Sequence, residues 1–429
     1  MKLQNLNFEN LKTKNILLAH SGGVDSSVLA HLLLANKINF SVAHCNFQLR
    51  GNESDKDANF VHGWCNLNGI TYYNTRFSSR FYKNHHKISV QMAARELRYR
   101  WFSDLIDLYE FDILLTAHHL NDQLETFLIN TSRGTGISGL LGISNQNSIL
   151  RPLLKYPKSE LIKYAKKEKI KWREDASNQD GKYLRNRIRS EVVSPLMQIQ
   201  PNLLDNFQTT LNNLSQANTF IHSILKEFKT KVFSTENGVL KLNIEEINKL
   251  PQIDFCLHYW FNPLGISAGE VLKLLNASSG KTLYSKSHRL IRDRKYLILC
   301  DVQKLDYKQF KINLEDTSQI LPLNLQWNDI SIDANYSLNL NKALLDKNLL
   351  KKPLYLRRYR KGDYFCPIGM KGKKLLSKFF KDEKYSQLEK EKQWLLCSED
   401  NIIWVIGKRC DRRYTANQKT KSTILMTVK

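Results

Sequence analysis

The chain has 429 residues, 42% of them hydrophobic, and carries 65 Lys and Arg against 41 acidic residues, a formal net charge of +24. That length calls for two or three domains, each able to bury a core, and no apolar run nears the ~20 residues that span a bilayer, which excludes a helical membrane protein. The charge asks for a polyanionic partner, nucleic acid first, although an AT-rich genome, which favours Lys and Asn, would raise it without purpose.

From the amino end, Met1-Lys2-Leu3-Gln4-Asn5 leads into no apolar h-region, so no signal peptide and a cytoplasmic location are expected. Asn15–His20 reads as a buried parallel strand, and Val28–Ala35 as a helix. Between them lies Ser21-Gly22-Gly23-Val24-Asp25-Ser26-Ser27. A strand, a glycine turn and a helix place backbone N–H groups around a phosphate. Gly22 and Gly23 permit positive φ and close approach to an anion, and Ser26 can cap the helix. A carboxylate at Asp25 repels phosphate unless a cation lies between them, which points to Mg²⁺ or to a donor network holding the loop. No Lys follows the second glycine, so this is not a Walker loop. The run SGGVDS resembles the PP-loop signature of the N-type ATP pyrophosphatases. The resemblance implies ATP, cleaved between its α and β phosphates, bound by Ser21, Gly22, Gly23, Val24, Asp25 and Ser26, with Asp25 as a metal ligand.

Ile38–His44, Ile70–Tyr73 and Asp112–Ala117 read as further strands, with a helix near Asp57–Leu67. Alternating strands and helices at this spacing mean a parallel sheet, whose ligands bind beyond the carboxyl ends of the strands. Ser21, His44 and His118 fall at that edge. Ser89–Glu110 reads as a long helix with Val90, Ala94, Leu97, Trp101, Leu105 and Leu108 on one stripe. Arg95 and Arg98, three apart, reach the same way, either as solvated arginines or as anion-binding ones. In Thr116–Thr126, Asn121 or a neighbour can cap a helix to about Thr131. Asp122 and Glu125 then share a face, either as dipole-favoured acids or, with His118, as a cluster that holds Mg²⁺ or receives an ammonium group. Arg133 and Gly134 open a glycine-rich run that permits an anion nest. A helix follows over Ser159–Glu168. Arg185, Arg187 and Arg189 alternate, a pattern that grips phosphate from a strand and spreads on a helix.

The ordered set SGGVDS, ARELRY, HHLNDQLET, RGTGISGL, RPLL, EDASN and RNRIR resembles the tRNA(Ile)-lysidine synthetase family over residues 14–195. Where many members show a second Asp before Asp122, this chain has Asn121. Farther on, Leu203–Phe233 and Leu240–Phe261 read as helical, the latter broken by Pro251, and Ser267 caps a helix to Leu275. Ser279-Gly280-Lys281-Thr282 mimics a Walker tail and is rejected, since Leu275 stands where a glycine belongs and strands follow. Ser287–Cys300 reads as a hairpin, and Leu321–Leu340 alternates like strands. Beyond a composition shift at Lys351-Lys352-Pro353, Arg357–Asp363, Pro367–Lys374 and Ile402–Asp411 resemble the family's C-terminal RxGD, PxGMxGKK and IxWVxGxRxD patterns. Tyr359 or Phe365 is available there for stacking.

The expected fold is α/β: a Rossmann-like PP-loop domain over 1–200, a mainly helical tRNA-binding domain with a short β region over 201–345, and a small basic α+β domain over 353–429. The resemblance implies ligation of free L-lysine to carbon 2 of the wobble cytidine of a CAU-anticodon tRNA(Ile), through an adenylated base. It implies Asp122, Glu125 or His118 as receiver of the lysine ammonium, Asp122 as a second metal ligand, and Arg95 or Arg98 on a nucleotide phosphate or the lysine carboxylate. The oligomeric state is open, a homodimer included. A PP-loop thiolase needs paired cysteines. The seven here, Cys45, Cys65, Cys256, Cys300, Cys366, Cys397 and Cys410, contain no C-x-x-C and argue against disulfides, zinc and iron–sulfur clusters. A non-catalytic RNA-binding chain would have lost Asp25, Asp122 or the glycines. A small-molecule ligase of the GMP synthetase kind does not need the basic charge.

Overall fold

The computed structural model describes residues 3, 6–48, 51–77, 90–144, 148–174, 184–236, 238–302, 308–316, 319–330 and 339–429. Ser89, Asp175–Asn178 of the EDASN motif, Tyr183 and residues 331–338 lie outside them. The chain forms two compact units, Met1–Ser223 and Ile224–Lys429.

The first unit is built on β1 (Ile16–Ala19), β2 (Ser41–Asn46), β3 (Tyr72–Arg76), β4 (Ile113–Leu115) and β5 (Ile149–Leu150). The strands pair in parallel in the order β3-β2-β1-β4-β5. Central Ile16, Leu17 and Leu18 are fully buried. A strand covered on both faces shows an unbroken apolar run instead of alternation. Helices α1 (Val24–Ala35), α2 (Asn52–Leu67), α3 (Val90–Tyr109), α4 (Leu120–Ser132), the short α5 (Ile137–Leu140) and α6 (Lys158–Lys167) surround the sheet. Three short helical segments follow: α7 (Leu184–Arg187), a π-helical stretch (Ile188–Val193) and α8 (Ser194–Ile199). They lead into α9 (Leu203–Val232), which runs from the first unit into the second.

Two strand boundaries differ from expectation for one reason. Ile38 N–H bonds the Leu33 carbonyl at 3.0 Å and Ile70 N–H bonds that of Cys65 at 3.0 Å. Each follows a residue in the left-handed region, Lys37 (φ 53°) and Gly69 (φ 66°). These apolar residues close helices in Schellman fashion and do not open strands. On α3 the buried stripe runs through Ala94, Phe102 and Leu105, while Leu108 is exposed.

In the second unit, Val239–Asn243, expected as helix, is a strand. It lies between Phe233–Glu236 and Tyr296–Asp301 in a five-stranded antiparallel sheet that also holds His288–Asp293 and Thr282–Tyr284. The Leu-Lys-Leu alternation of 240–242 fits that pairing. Helices Ile244–Asn248, Ile253–Phe261 and Ala268–Leu275 accompany the sheet, the last capped by Ser267 as expected. A second five-stranded sheet carries Leu354–Arg358, Trp394–Ser398 and Asn401–Val405. Phe365 is fully buried in its core, against Phe379 at 5.1 Å, so it is not available for stacking. Tyr364 is 42% exposed and faces out.

Candidate active site

The loop after β1 is shorter than the motif. Helix α1 begins at Val24 with Gly23 as its N-cap, so Ser26 is a first-turn residue and not the cap. Its hydroxyl donates to the Gly23 carbonyl at 3.0 Å and accepts from the Ser21 N–H at 3.3 Å. Gly22 has φ +88°, where glycine is required. Gly23, at φ −78°, does not use its freedom. The amides of Val24, Asp25 and Ser26 lack intrahelical partners by helix geometry. They are the donors this loop offers to an anion.

His20, unremarked in the sequence, organises the turn from below. It is buried, and its Nδ1 accepts the Gly22 N–H at 3.0 Å. Burial, followed by the neighbouring His44, pushes its pKa down to about 3, so the ring is a neutral acceptor. His44 is buried too, with Nδ1 2.9 Å from the His20 carbonyl, and burial lowers its pKa. It lies under the loop. On the other side, the Arg173 N–H bonds the Gly22 carbonyl at 3.0 Å, and its guanidinium holds Asp57 and Glu53 of α2.

Asp25 sits in the first turn of α1. One oxygen, Oδ1, is buried without a hydrogen-bond partner. The other lies 3.6 Å from His119 Nε2 and 3.7 Å from Lys158 Nζ. His119 is the N-cap of α4, and Lys158 is the first residue of α6. Side chains from the amino ends of α4 and α6 therefore meet at a carboxylate in the first turn of α1, and the positive end of that turn attracts anions. Burial raises the Asp25 carboxyl above its ordinary pKa, against the pull of His119 and Lys158. Neither His119 nor Lys158 stood out in the sequence; the doubled histidine was the one signal.

A cavity of about 190 Å³ opens over the ends of β1, β2 and β4, lined by Ser21, Asp25, Ser26, Arg98, Tyr99 and His118 among others. It brings together the loop, α3 and the His118 turn. His118 Nδ1 is 2.9 Å from the Thr116 hydroxyl, and burial pushes the pKa of His118 down to about 4. The Arg98 guanidinium lies 5.1 Å over the Phe47 ring, and that of Arg95 lies 4.8 Å over Tyr99. Arg133 and Gly134 are set at the far end of α4, ~20 Å along a 13-residue helix from its His119 end. A roomier cavity of about 790 Å³, lined by Arg358, Tyr359, Arg360, Lys361 and Phe380 among others, belongs to the second unit. It has none of the loop or carboxylate machinery.

Asp122 and Glu125 share one face of α4, but their oxygens are taken. Arg185 reaches Glu125 at 2.6 Å and Asp122 at 2.9 Å; Arg189 reaches Glu125 at 2.6 Å. The alternating arginines are helical: Arg185 and Arg189 point one way, while exposed Arg187 pairs with Glu191. Two of the three thus bind carboxylates. Burial disfavours the Asp122 carboxylate, yet His119, Arg185 and the His119 N–H bond at 3.0 Å hold its pKa below the usual value. Asn121 has a local task. Its Oδ1 accepts the Lys158 N–H at 2.9 Å, tying the start of α6 to that of α4.

Among the described residues no three His, Cys, Asp or Glu side chains stand together to hold a metal by themselves. Mg²⁺ needs only one or two carboxylates when phosphates supply the rest. The unpartnered Oδ1 of Asp25 fits that part, whereas both Asp122 oxygens are engaged.

A model of the PP-loop domain matches residues 1–196, the TilS substrate binding domain matches 234–302, and the TilS substrate C-terminal domain matches 354–425. A tRNA(Ile)-lysidine synthase of Parabacteroides distasonis is 33% identical over 417 residues, 96% of this chain and 94% of the relative. Its namesake in Bacteroides thetaiotaomicron is 34% identical over 421 residues, 97% and 95% of the two chains. That of Porphyromonas gingivalis is 33% identical over 421 residues, 94% and 91%. With those relatives aligned along nearly its whole length and all three domain models matched in order, the chain belongs to the tRNA(Ile)-lysidine synthase family.

Proposed function

We propose that the chain ligates the ε-amine of free L-lysine to carbon 2 of the wobble cytidine in a CAU-anticodon tRNA(Ile), consuming ATP and releasing AMP and pyrophosphate. The observation that carries the reading is the meeting of side chains from the amino ends of α4 and α6 at Asp25 in the first turn of α1, beside a cleft that His118 lines. The carbonyl oxygen at carbon 2 attacks the α-phosphate and pyrophosphate leaves. This turns a poor leaving group into a phosphate ester. The lysine ammonium then gives a proton to Asp122 or His118, the free amine attacks carbon 2, and AMP leaves.

The first-turn amides of α1 hold phosphate oxygens where charge builds. Asp25 would hold Mg²⁺, whose charge offsets that of the phosphates. His118, neutral at pH 7, accepts a hydrogen bond from the incoming ammonium without repelling it. Asp122, the more exposed of the paired acids, receives the amine once Arg185 yields. Arg98, on the cleft wall, holds the lysine carboxylate or a phosphate, with Arg95 beside it. We assign residues 1–200 to catalysis and 201–345 and 353–429 to tRNA, with exposed Arg360, Lys361, Lys371 and Lys373 on its phosphates and Tyr359 or Tyr364 against a base. The work is cytoplasmic, where unmodified tRNA is found.

Thiolation is disfavoured by the cleft itself. Its cysteine, Cys45, is a free thiol whose pKa burial pushes up to about 12, the opposite of an activated sulfur. The test is incubation of the purified chain with ATP, labelled lysine and an unmodified CAU-anticodon tRNA(Ile) transcript. Lysine enters the tRNA in step with AMP release. If the transcript stays unlabelled while the chain binds it, the proposal is wrong.

A further inference from the structure

Lys158 is bound by its backbone and loose at its tip. Its N–H is fixed by Asn121 Oδ1 at 2.9 Å, and two residues earlier the Tyr156 carbonyl accepts the Leu120 N–H at 2.9 Å. Two bonds thus stitch the approach to α6 onto the start of α4, and the Lys158 Cα cannot drift relative to His119. The side chain, 36% exposed, ends 3.7 Å from Asp25 Oδ2, too far for a formed hydrogen bond. Asp25 is no better served by His119 at 3.6 Å, and its Oδ1 has no partner. The ammonium therefore stands beside Asp25 in a loose ion pair with no formed hydrogen bond, on a flexible four-carbon stem. A compact point charge placed this way suits a terminal phosphate.

We propose that Lys158 is a phosphate-binding residue of the adenylation step. In this structure it pairs with Asp25. When ATP enters, it swings to the β and γ phosphates, neutralises the departing pyrophosphate and leaves Asp25 for the cation. The assignment rests on the reading that this cleft binds ATP, and it adds a residue that neither the glycine motif nor the domain matches single out.

The geometry makes a selective demand. Lys158 helps the part of the nucleotide that leaves and ignores the part that is transferred. Calorimetry with excess Mg²⁺, without lysine or tRNA, would compare a non-hydrolysable ATP analogue, inorganic pyrophosphate and AMP on the unaltered chain, Lys158→Met and Lys158→Arg. Lys158→Met is expected to weaken the ATP analogue and pyrophosphate at least about tenfold, the size of a lost charge-assisted hydrogen bond. AMP should change by less than about twofold, and Lys158→Arg should recover most of the loss. Equal loss for ATP and AMP, no loss for either, or loss of tRNA binding in a gel shift would overturn the assignment. Failure of the unaltered chain to bind the ATP analogue would instead overturn the ATP reading beneath it.

Discussion

Glu125 is 1% exposed and faces two guanidiniums, each itself 33% exposed. A buried carboxylate survives only where cations and hydrogen bonds replace its water. Here it has three short contacts from Arg185 and Arg189. Glu125→Gln leaves two arginines short of a charge, and a loss of about 2–3 kcal/mol is expected, below that of a fully buried pair because both partners reach solvent. A shift of the urea midpoint at constant m reads it. His20 gives a second expectation. Its folded pKa of about 3 lies below the ordinary 6.5. Between those values the unfolded chain takes up a proton that the folded chain refuses. Stability falls as pH drops through that window, with a slope reaching about 1.4 kcal/mol per unit. His118, at about 4, adds its own share from 6.5 downward. His20→Phe should flatten the slope between pH 6 and 4.5 while costing stability at pH 7 through the lost Gly22 bond. Urea midpoints measured across that range decide it. Residue types alone could not expose these roles. SGGVDS announced a phosphate loop, but which amides face outward depends on where α1 starts. The acids of α4 were visible as a pair, and RNRIR as a basic run. That one neutralises the other is a long-range contact between residues some sixty apart, which local spacing does not encode.

The elements were most legible where one pattern dominated. Continuous apolar residues marked β1, Ser267 marked a helix start, and Ser287–Cys300 read as the hairpin that it is. The helix end was missed at Ile38 and Ile70, and the same closure recurs at positions read correctly. Besides Ile38 and Ile70, Phe111, Ile170 and Ile266 each bond a carbonyl five residues back, after a residue of positive φ. From the sequence, an apolar residue just past a helix looks like the start of a strand, whether the left-handed residue before it is Lys37 or Gly69, because the bond that closes the helix runs to a carbonyl five residues back. The Val239–Asn243 strand was missed for a different reason. It is short, and of its two pairing partners one continues a segment that reads as helix while the other lies more than fifty residues ahead. At this scale Asn121 is the informative position. Where the resemblance leads one to expect an aspartate, it supplies a side-chain oxygen to the first amide of α6. Asn121→Asp should retain stability, since a carboxylate at a helix amino end is favoured. Asn121→Ala should cost about 1 kcal/mol. Thermal melts of the two variants side by side test the pair.

For the whole molecule, a net charge of +24 makes association with an anionic partner dependent on salt. Not every cation contributes. Arg357 is buried on Asp363, Arg289 on Glu391, and Arg413 pairs with fully buried Asp411. These fix the second unit's own chain. Lys371 and Lys373 are exposed on the glycine turn beside Tyr364, and Lys373 lies 4.8 Å over its ring. Replacing both by Gln should lower the slope of log affinity for tRNA against log salt by about one per lysine, with ATP binding unchanged. A filter assay at several salt concentrations measures it.

The gathering of side chains from helix amino ends around Asp25 has a cost that appears only after the bond is made. Pyrophosphate concentrates more charge on fewer atoms than the nucleotide tail it comes from, so the same cradle grips the by-product harder than the reactant. On the proposed reaction, turnover would then keep pace with its escape. A pyrophosphatase in the surrounding fluid becomes the drain that draws the reaction forward.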